Sequence, residues 1–168
     1  MDYLKNIVKT RPNGKALMGM DVGKKTIGIA LSDPAHSIAT PLTTIQRTKF
    51  SKDLKEIEAI AQEFDIGGFV IGLPVNMDGS QGPRCQSIRD FAAELQNQIT
   101  QGVRGTDGEI WIALQDERLS TVSADNIVDN LVEKRKTKIK AKSSGLIDKL
   151  AAQTILQSAL DFITRHKA

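Results

Sequence analysis

The chain has 168 residues, of which 40% are apolar and 26% charged, and 23 Lys and Arg against 20 Asp and Glu leave a net charge of +3. That apolar content excludes a disordered chain, and the longest apolar runs, such as residues 110–114, fall far short of the roughly 18 residues of a membrane span. One cysteine, Cys85, allows no internal disulfide, two histidines, His36 and His166, cannot complete a Cys/His zinc site, and 4% aromatics disfavours base stacking over a sheet face.

In chain order, residues 1–15 read as a loosely held polar lead-in containing Pro12 and Gly14, with no apolar run of the secretory kind. Two short apolar runs, 16–20 and 26–31, flank a Gly-containing turn and predict a β-hairpin; a third strand is expected near 40–47. From Ser51, which is placed to cap a helix, Leu54, Ile57, Ile60, Ala61 and Phe64 recur at helical spacing. Residues 66–71 read as a buried strand, and Ile88, Phe91, Ala92, Leu95 and Ile99 as the apolar stripe of a second helix. The Gly-containing stretch 102–108 breaks that helix, and 110–114 reads as another interior strand. Helices over about 123–133 and 146–165 complete a mixed α/β sandwich. The expected organisation is a lead-in over 1–15 and one domain over 16–168 of a reduced, cytoplasmic protein without a membrane segment. Cys85 and Trp111 read as core residues.

Three carboxylate positions stand against apolar elements. Rotation by about 100° per residue along the last helix puts Asp148 within the arc of Ala151, Ala152, Ile155, Ala159, Phe162 and Ile163. An acid there is costly unless paired, capped or metal-bound, although a first-turn acid can also complement the helix dipole. Asp21 ends an apolar strand, where it either opens an Asx turn or carries chemistry. Asp116 and Glu117 follow the strand at 110–114, and alternation lets only one of them face as Asp21 does. A solvated pair at a strand end is the competing explanation. Taken together, acids from three separate segments suggest a convergent cluster, and oxygen ligands alone favour Mg²⁺ or Mn²⁺.

The motifs GMDVGKKTIGIALSD (19–33), VIGLPVNMDGS (70–80), DERLST (116–121) and IDKLAAQTIL (147–156), in this order, resemble those of the YqgF family. That family comprises Holliday-junction-resolvase-like proteins and pre-16S rRNA nucleases of RNase H-like fold. The resemblance implies a single-domain α/β fold with a five-stranded mixed sheet flanked by helices. It matches Asp21, Glu117 and Asp148 to the family's acidic catalytic, metal-binding positions. It further implies a hydrolase acting on phosphodiester bonds with two metal ions, Asp21 bridging them. Asp116 and Asp33 are candidates for outer support of that site.

Six basic residues, Lys134, Arg135, Lys136, Lys138, Lys140 and Lys142, precede the last helix. They form either a solvated loop or a grip on phosphates beside the site. The loop 72–82 is an ordinary Gly/Pro turn or a wall of the substrate groove; Lys24 and Lys25 read as exposed turn lysines. The function that the YqgF resemblance implies is 5′-end processing of pre-16S rRNA in ribosome biogenesis, on structured RNA within pre-ribosomal particles. Alternatives are a Holliday-junction resolvase acting on branched DNA in recombination and repair, or a non-catalytic nucleic-acid-binding assembly factor. No long apolar helix face is left over, so a monomer or weak dimer is expected. A two-domain phosphotransferase with a D-x-G phosphate turn is disfavoured, because no second such hairpin occurs.

Overall fold

The structure, a computed structural model, describes residues 1–99, 103–117 and 145–166. Strands β1 (Asp2–Tyr3), β2 (Ala16–Val22), β3 (Thr26–Ser32), β4 (Ala39–Gln46), β5 (Ile66–Leu73) and β6 (Ile112–Asp116) form one sheet in the order β1-β6-β5-β2-β3-β4. The hairpin β2–β3 and the pair β3–β4 are antiparallel, whereas β2–β5, β5–β6 and β6–β1 are parallel, so the sheet is mixed. It has six strands where five were expected. The sixth is β1, which comes from the lead-in and pairs only through Asp2 and Tyr3 with Ala113 and Leu114.

Alternation along the strands divides two cores. Met18, Met20, Ile27, Ile29, Phe69, Ile71, Ile112 and Leu114 face helices α2 (Phe50–Glu63) and α3 (Pro83–Gln98), which contribute Leu54, Ile57, Ile88, Phe91 and Leu95. Leu17, Ala30, Val70 and Ala113 face the other way, against Ala152, Ile155, Leu156, Ala159, Leu160 and Ile163 of helix α4 (Leu146–Arg165). Cys85 and Trp111 are buried, as core residues should be.

The lead-in is tied to this second core. Helical turn α1 (Leu4–Ile7) and the 3₁₀ turn Val8–Thr10 bury Leu4 and Val8, and the Trp111 indole N–H donates to the Ile7 carbonyl at 3.0 Å. Helix α2 begins one residue before Ser51, with Lys49 at its N-cap and Phe50 as its first residue. Ser51 therefore caps nothing. Asp53 is buried instead, and its carboxylate reaches back to accept the Thr48 N–H at 3.1 Å, so it satisfies a donor ahead of the helix. Strand β6 runs two residues later than expected, which puts Asp116 in its last position and Glu117 just beyond. The expected helix at 123–133 and the basic segment 134–142 lie outside the described residues. Among the described residues, no helix is long and apolar enough to cross a membrane.

Candidate active site

The alternation that sends Met20 and Val22 into one core turns Asp21 to the opposite face, with Leu17 and Gly19, beneath α4. Directly across the hairpin from Asp21 is Gly28. A Cβ on Gly28 would overlap the main-chain carbonyl of Asp148. The missing side chain is therefore what lets the first turn of α4 descend onto the sheet beside Asp21. Gly145 begins that helix at φ +73°, in the left-handed region that favours glycine, and its carbonyl accepts the Thr44 hydroxyl of β4 at 2.6 Å. The start of α4, and with it Asp148, is thus held by β3 and β4 together.

Glu117 arrives from the carboxyl end of β6. A Cβ on Gly72 of β5 would lie 2.6 Å from Glu117 Oε1 and 2.5 Å from Ile155 Cδ1 of α4, so this carboxylate lies on the same face as Asp21 and Asp148. Electrostatics ties the three positions together. Burial pushes the Asp21 carboxyl above its ordinary range; the Arg84 guanidinium pulls it back, and the Asp148 charge pushes it further up. Burial, and next the charge of Asp21, raise Glu117 to about 6, with Arg84 opposing and Asp116 adding to the rise. Asp21 links the three: its charge raises Glu117, and it is itself raised by the charge of Asp148.

Asp148 is half-buried, at the inner edge of the first turn of α4. Asp116 is half-buried at the end of β6, paired in register with Leu73. Asp33 stands elsewhere. It follows β3 at the end of the sheet remote from Asp21, and accepts the backbone N–H groups of Ser37 and Ile38 at 2.7 and 2.9 Å and the Ser37 hydroxyl at 2.6 Å. Desolvation pushes its carboxyl up, but those bonds together outweigh it and hold the carboxyl at about 2. Asp33 organises its own loop and does not support the acidic site.

One residue here has little signature in the sequence. Arg84, second in α3, places Nη2 3.8 Å from Asp21 Oδ1. Its only sequence signal is an arginine two residues beyond the Gly/Pro loop 72–82.

Among the described residues, no group of three or more His, Cys, Asp or Glu side chains is placed to hold a metal ion at once. The donor chemistry is nonetheless that of a hard divalent cation. Asp21 offers a desolvated carboxylate crowded by two others, and Mg²⁺ keeps most of its waters, needing only one or two protein carboxylates.

The raised Glu117 carries its own prediction. An acid whose folded pKa is raised destabilises the fold once ionised: the contribution is neutral below about 4.5 and grows as pH rises through about 6. In the metal-free protein, Glu117→Gln should raise stability at pH 8 by about 1 kcal/mol after allowance for solvent screening, and change nothing near pH 4. Denaturant titrations at the two pH values measure the difference.

A family model described as RuvX, Holliday junction resolvase, matches residues 15–162. The chain belongs to the RuvX family. Curated relatives provisionally named pre-16S rRNA nuclease include one from Rhodospirillum centenum, 42% identical over 159 residues that cover 94% of this chain and 79% of that protein. Another from Ruegeria pomeroyi is 47% identical over 150 residues, covering 89% and 88%. Among solved structures, Thermus thermophilus RuvC in complex with a Holliday junction substrate aligns with a TM-score of 0.50 at 9% identity, covering 90% of this chain and 95% of that one. The yeast mitochondrial Holliday junction resolvase Ydc2 aligns with a TM-score of 0.50 at 10% identity, covering 97% and 86%. At such identities the likeness is one of fold, and the RuvX chain has the RNase H-like fold of these resolvases.

Proposed function

We propose that this RuvX-family protein is a divalent-metal-dependent endonuclease that hydrolyses phosphodiester bonds in structured nucleic acid, with the 5′ end of pre-16S rRNA as its preferred substrate. The observation that carries the reading is the approach of Asp21, Glu117 and Asp148, from β2, the end of β6 and α4, to one face of the sheet. The names of the curated relatives support the RNA substrate. The family description favours branched DNA as the second reading. Cleavage of a 16S precursor and of a four-way junction, run in parallel with and without Mg²⁺, decides between them. Faster metal-dependent cleavage of the precursor supports the RNA reading, faster cleavage of the junction the DNA reading, and cleavage of neither refutes both.

In the hydrolysis, a water oxygen adds to phosphorus, the P–O bond to the departing strand breaks, one water proton ends on the displaced oxygen, and the other stays on the new phosphate or passes to solvent. Asp21, Glu117 and Asp148 are the residues that would hold two Mg²⁺ or Mn²⁺ ions. When bound, such ions supply charge neutralisation at the phosphate and a water of lowered pKa. The protein's own part is to fix the three carboxylates on rigid elements. Gly28 and Gly145 set the height of α4, and β5 backs Glu117.

Metal should therefore stabilise the fold through Asp21. Binding to the native state alone adds RT ln(1 + [L]/Kd), about 2.7 kcal/mol at a hundredfold excess over Kd. In thermal melts with Mg²⁺ or Mn²⁺, the wild type should shift upward and Asp21→Asn should shift less; equal shifts would place the metal elsewhere.

The basic residues Lys134, Arg135, Lys136, Lys138, Lys140 and Lys142 complete the proposal as a phosphate grip on the chain leading into α4. If they neutralise phosphates, replacing Lys136, Lys138 and Lys140 with Gln should flatten the salt dependence of RNA affinity by roughly two to three log units per decade of salt. Affinity measured from low to high salt tests this, and an unchanged slope would leave the segment a solvated linker.

A further inference from the structure

Arg84 sits where fold stability gives it little reason to be. A cation in the first turn of a helix opposes the helix dipole, and α3 carries no acid in that turn to offset it. Its ion pair is with another element, Asp21, at 3.8 Å, beyond hydrogen-bonding distance. The two partners differ sharply in exposure: the Arg84 side chain is 59% exposed and that of Asp21 20%. A long pair with one partner this open contributes little to folding. The guanidinium consequently keeps its donors available to solvent while standing beside the half-buried Asp21. Its field also reaches Glu117, so it overlooks the acidic face and not Asp21 alone.

The chemistry of that position suits a phosphate. A guanidinium is a planar fork whose N–H groups match phosphate oxygens two at a time, and it stays charged at every working pH. A divalent cation on Asp21 would repel Arg84 from the oxygen that it now faces, and the exposed side chain is free to turn outward. Resting on the metal-dependent reading above, we propose that Arg84 is a substrate-phosphate ligand of this site. In the metal-free protein it pairs with Asp21; once metal takes that carboxylate, it turns to the oxygens of the bound phosphodiester. It thus gives the acidic face a cation that both competes with metal and recruits the substrate.

The test uses the full chain and two readouts other than turnover. Mn²⁺ alone is titrated into wild type, Asp21→Asn, Arg84→Gln and Arg84→Lys, with free Mn²⁺ followed by electron paramagnetic resonance. Affinity for the 16S precursor and the four-way junction is then measured by anisotropy in Ca²⁺ and in EDTA, with strand integrity checked on gels. Arg84→Gln should bind Mn²⁺ several-fold more tightly than wild type. It should lose about tenfold in nucleic-acid affinity in Ca²⁺, the scale of one charge-assisted hydrogen bond, and little in EDTA. Arg84→Lys, a point charge without the fork, should restore the metal competition but only part of the substrate affinity. Equal Mn²⁺ affinity in wild type and Asp21→Asn would refute the metal centre, and the Arg84 proposal with it. Weaker Mn²⁺ binding in Asp21→Asn, but an Arg84→Gln variant like wild type in either readout, would overturn the Arg84 proposal alone.

Discussion

Asp21→Asn should abolish cleavage while leaving the fold intact, with kcat lowered by about 10²–10³-fold or more. The expectation follows from where Asp21 stands. It lies at the end of the central hairpin strand, shielded from solvent, and is the carboxylate whose charge perturbs Glu117 and is perturbed by Asp148. Neutralising it removes a crowded charge, so stability should hold or rise slightly. Glu117→Gln and Asp148→Asn should act in the same direction. Asp116 pairs in register with Leu73 of the α2/α3 core, whereas Glu117 approaches Gly72 and Ile155 on the α4 face, so Asp116→Asn should retain most activity. Single-turnover cleavage beside thermal midpoints measures all four variants. Wild-type turnover in Asp21→Asn, Glu117→Gln or Asp148→Asn removes that residue from the site.

Gly28→Ala should damage both fold and site, although it adds one methyl group. That carbon would overlap the main-chain carbonyl of Asp148, and a helix backbone cannot step aside as a side-chain tip can. Relief requires lifting the first turn of α4, against the Thr44–Gly145 hydrogen bond and the packing of Ala152, Ile155 and Leu156. Overpacking of this kind costs about 1–3 kcal/mol, occasionally more, and each kcal/mol lowers Tm by about 2–4 °C in a chain of this size. Asp148 moves with the turn, so Mn²⁺ affinity should fall together with stability. Gly82→Ala is the control: a Cβ there meets nothing within 4 Å, and melting temperature and metal affinity should both stay near wild type. A Gly28→Ala protein indistinguishable from that control would show that the approach of α4 does not set the site.

The parts legible in the sequence are those written in local periodicity. The hairpin at 16–20 and 26–31, the buried strand at 66–71 and the long last helix each carry a pattern set by their own residues; each starts where expected, the strands run one or two residues further, and the helix spans its expected range. Asp148 was conspicuous because a helical period made its apolar neighbours countable. What was hidden depends on partners distant in the chain. Strand β1 exists through pairing with β6 more than a hundred residues later, and two residues carry no period of their own. Ser51 looked like a cap because residue type alone nominates it, whereas the buried Asp53 reaches back to Thr48 and the helix starts earlier. Nothing local marks Gly28 out; its meaning lies in the helix carbonyl above it. Arg84 is invisible for the same reason, since it meets Asp21 only once α3 is packed on the sheet.

The central claim is that the acids gathered on the α4 face hold the metal that the reaction needs. It is tested most directly by cleavage of a 16S precursor by wild type and Asp21→Asn at equal concentration, each in Mg²⁺ and in EDTA. The account predicts product from the wild type in Mg²⁺ only, with the three other lanes bare. Product from the wild type in EDTA, or equal product from Asp21→Asn in Mg²⁺, would contradict it.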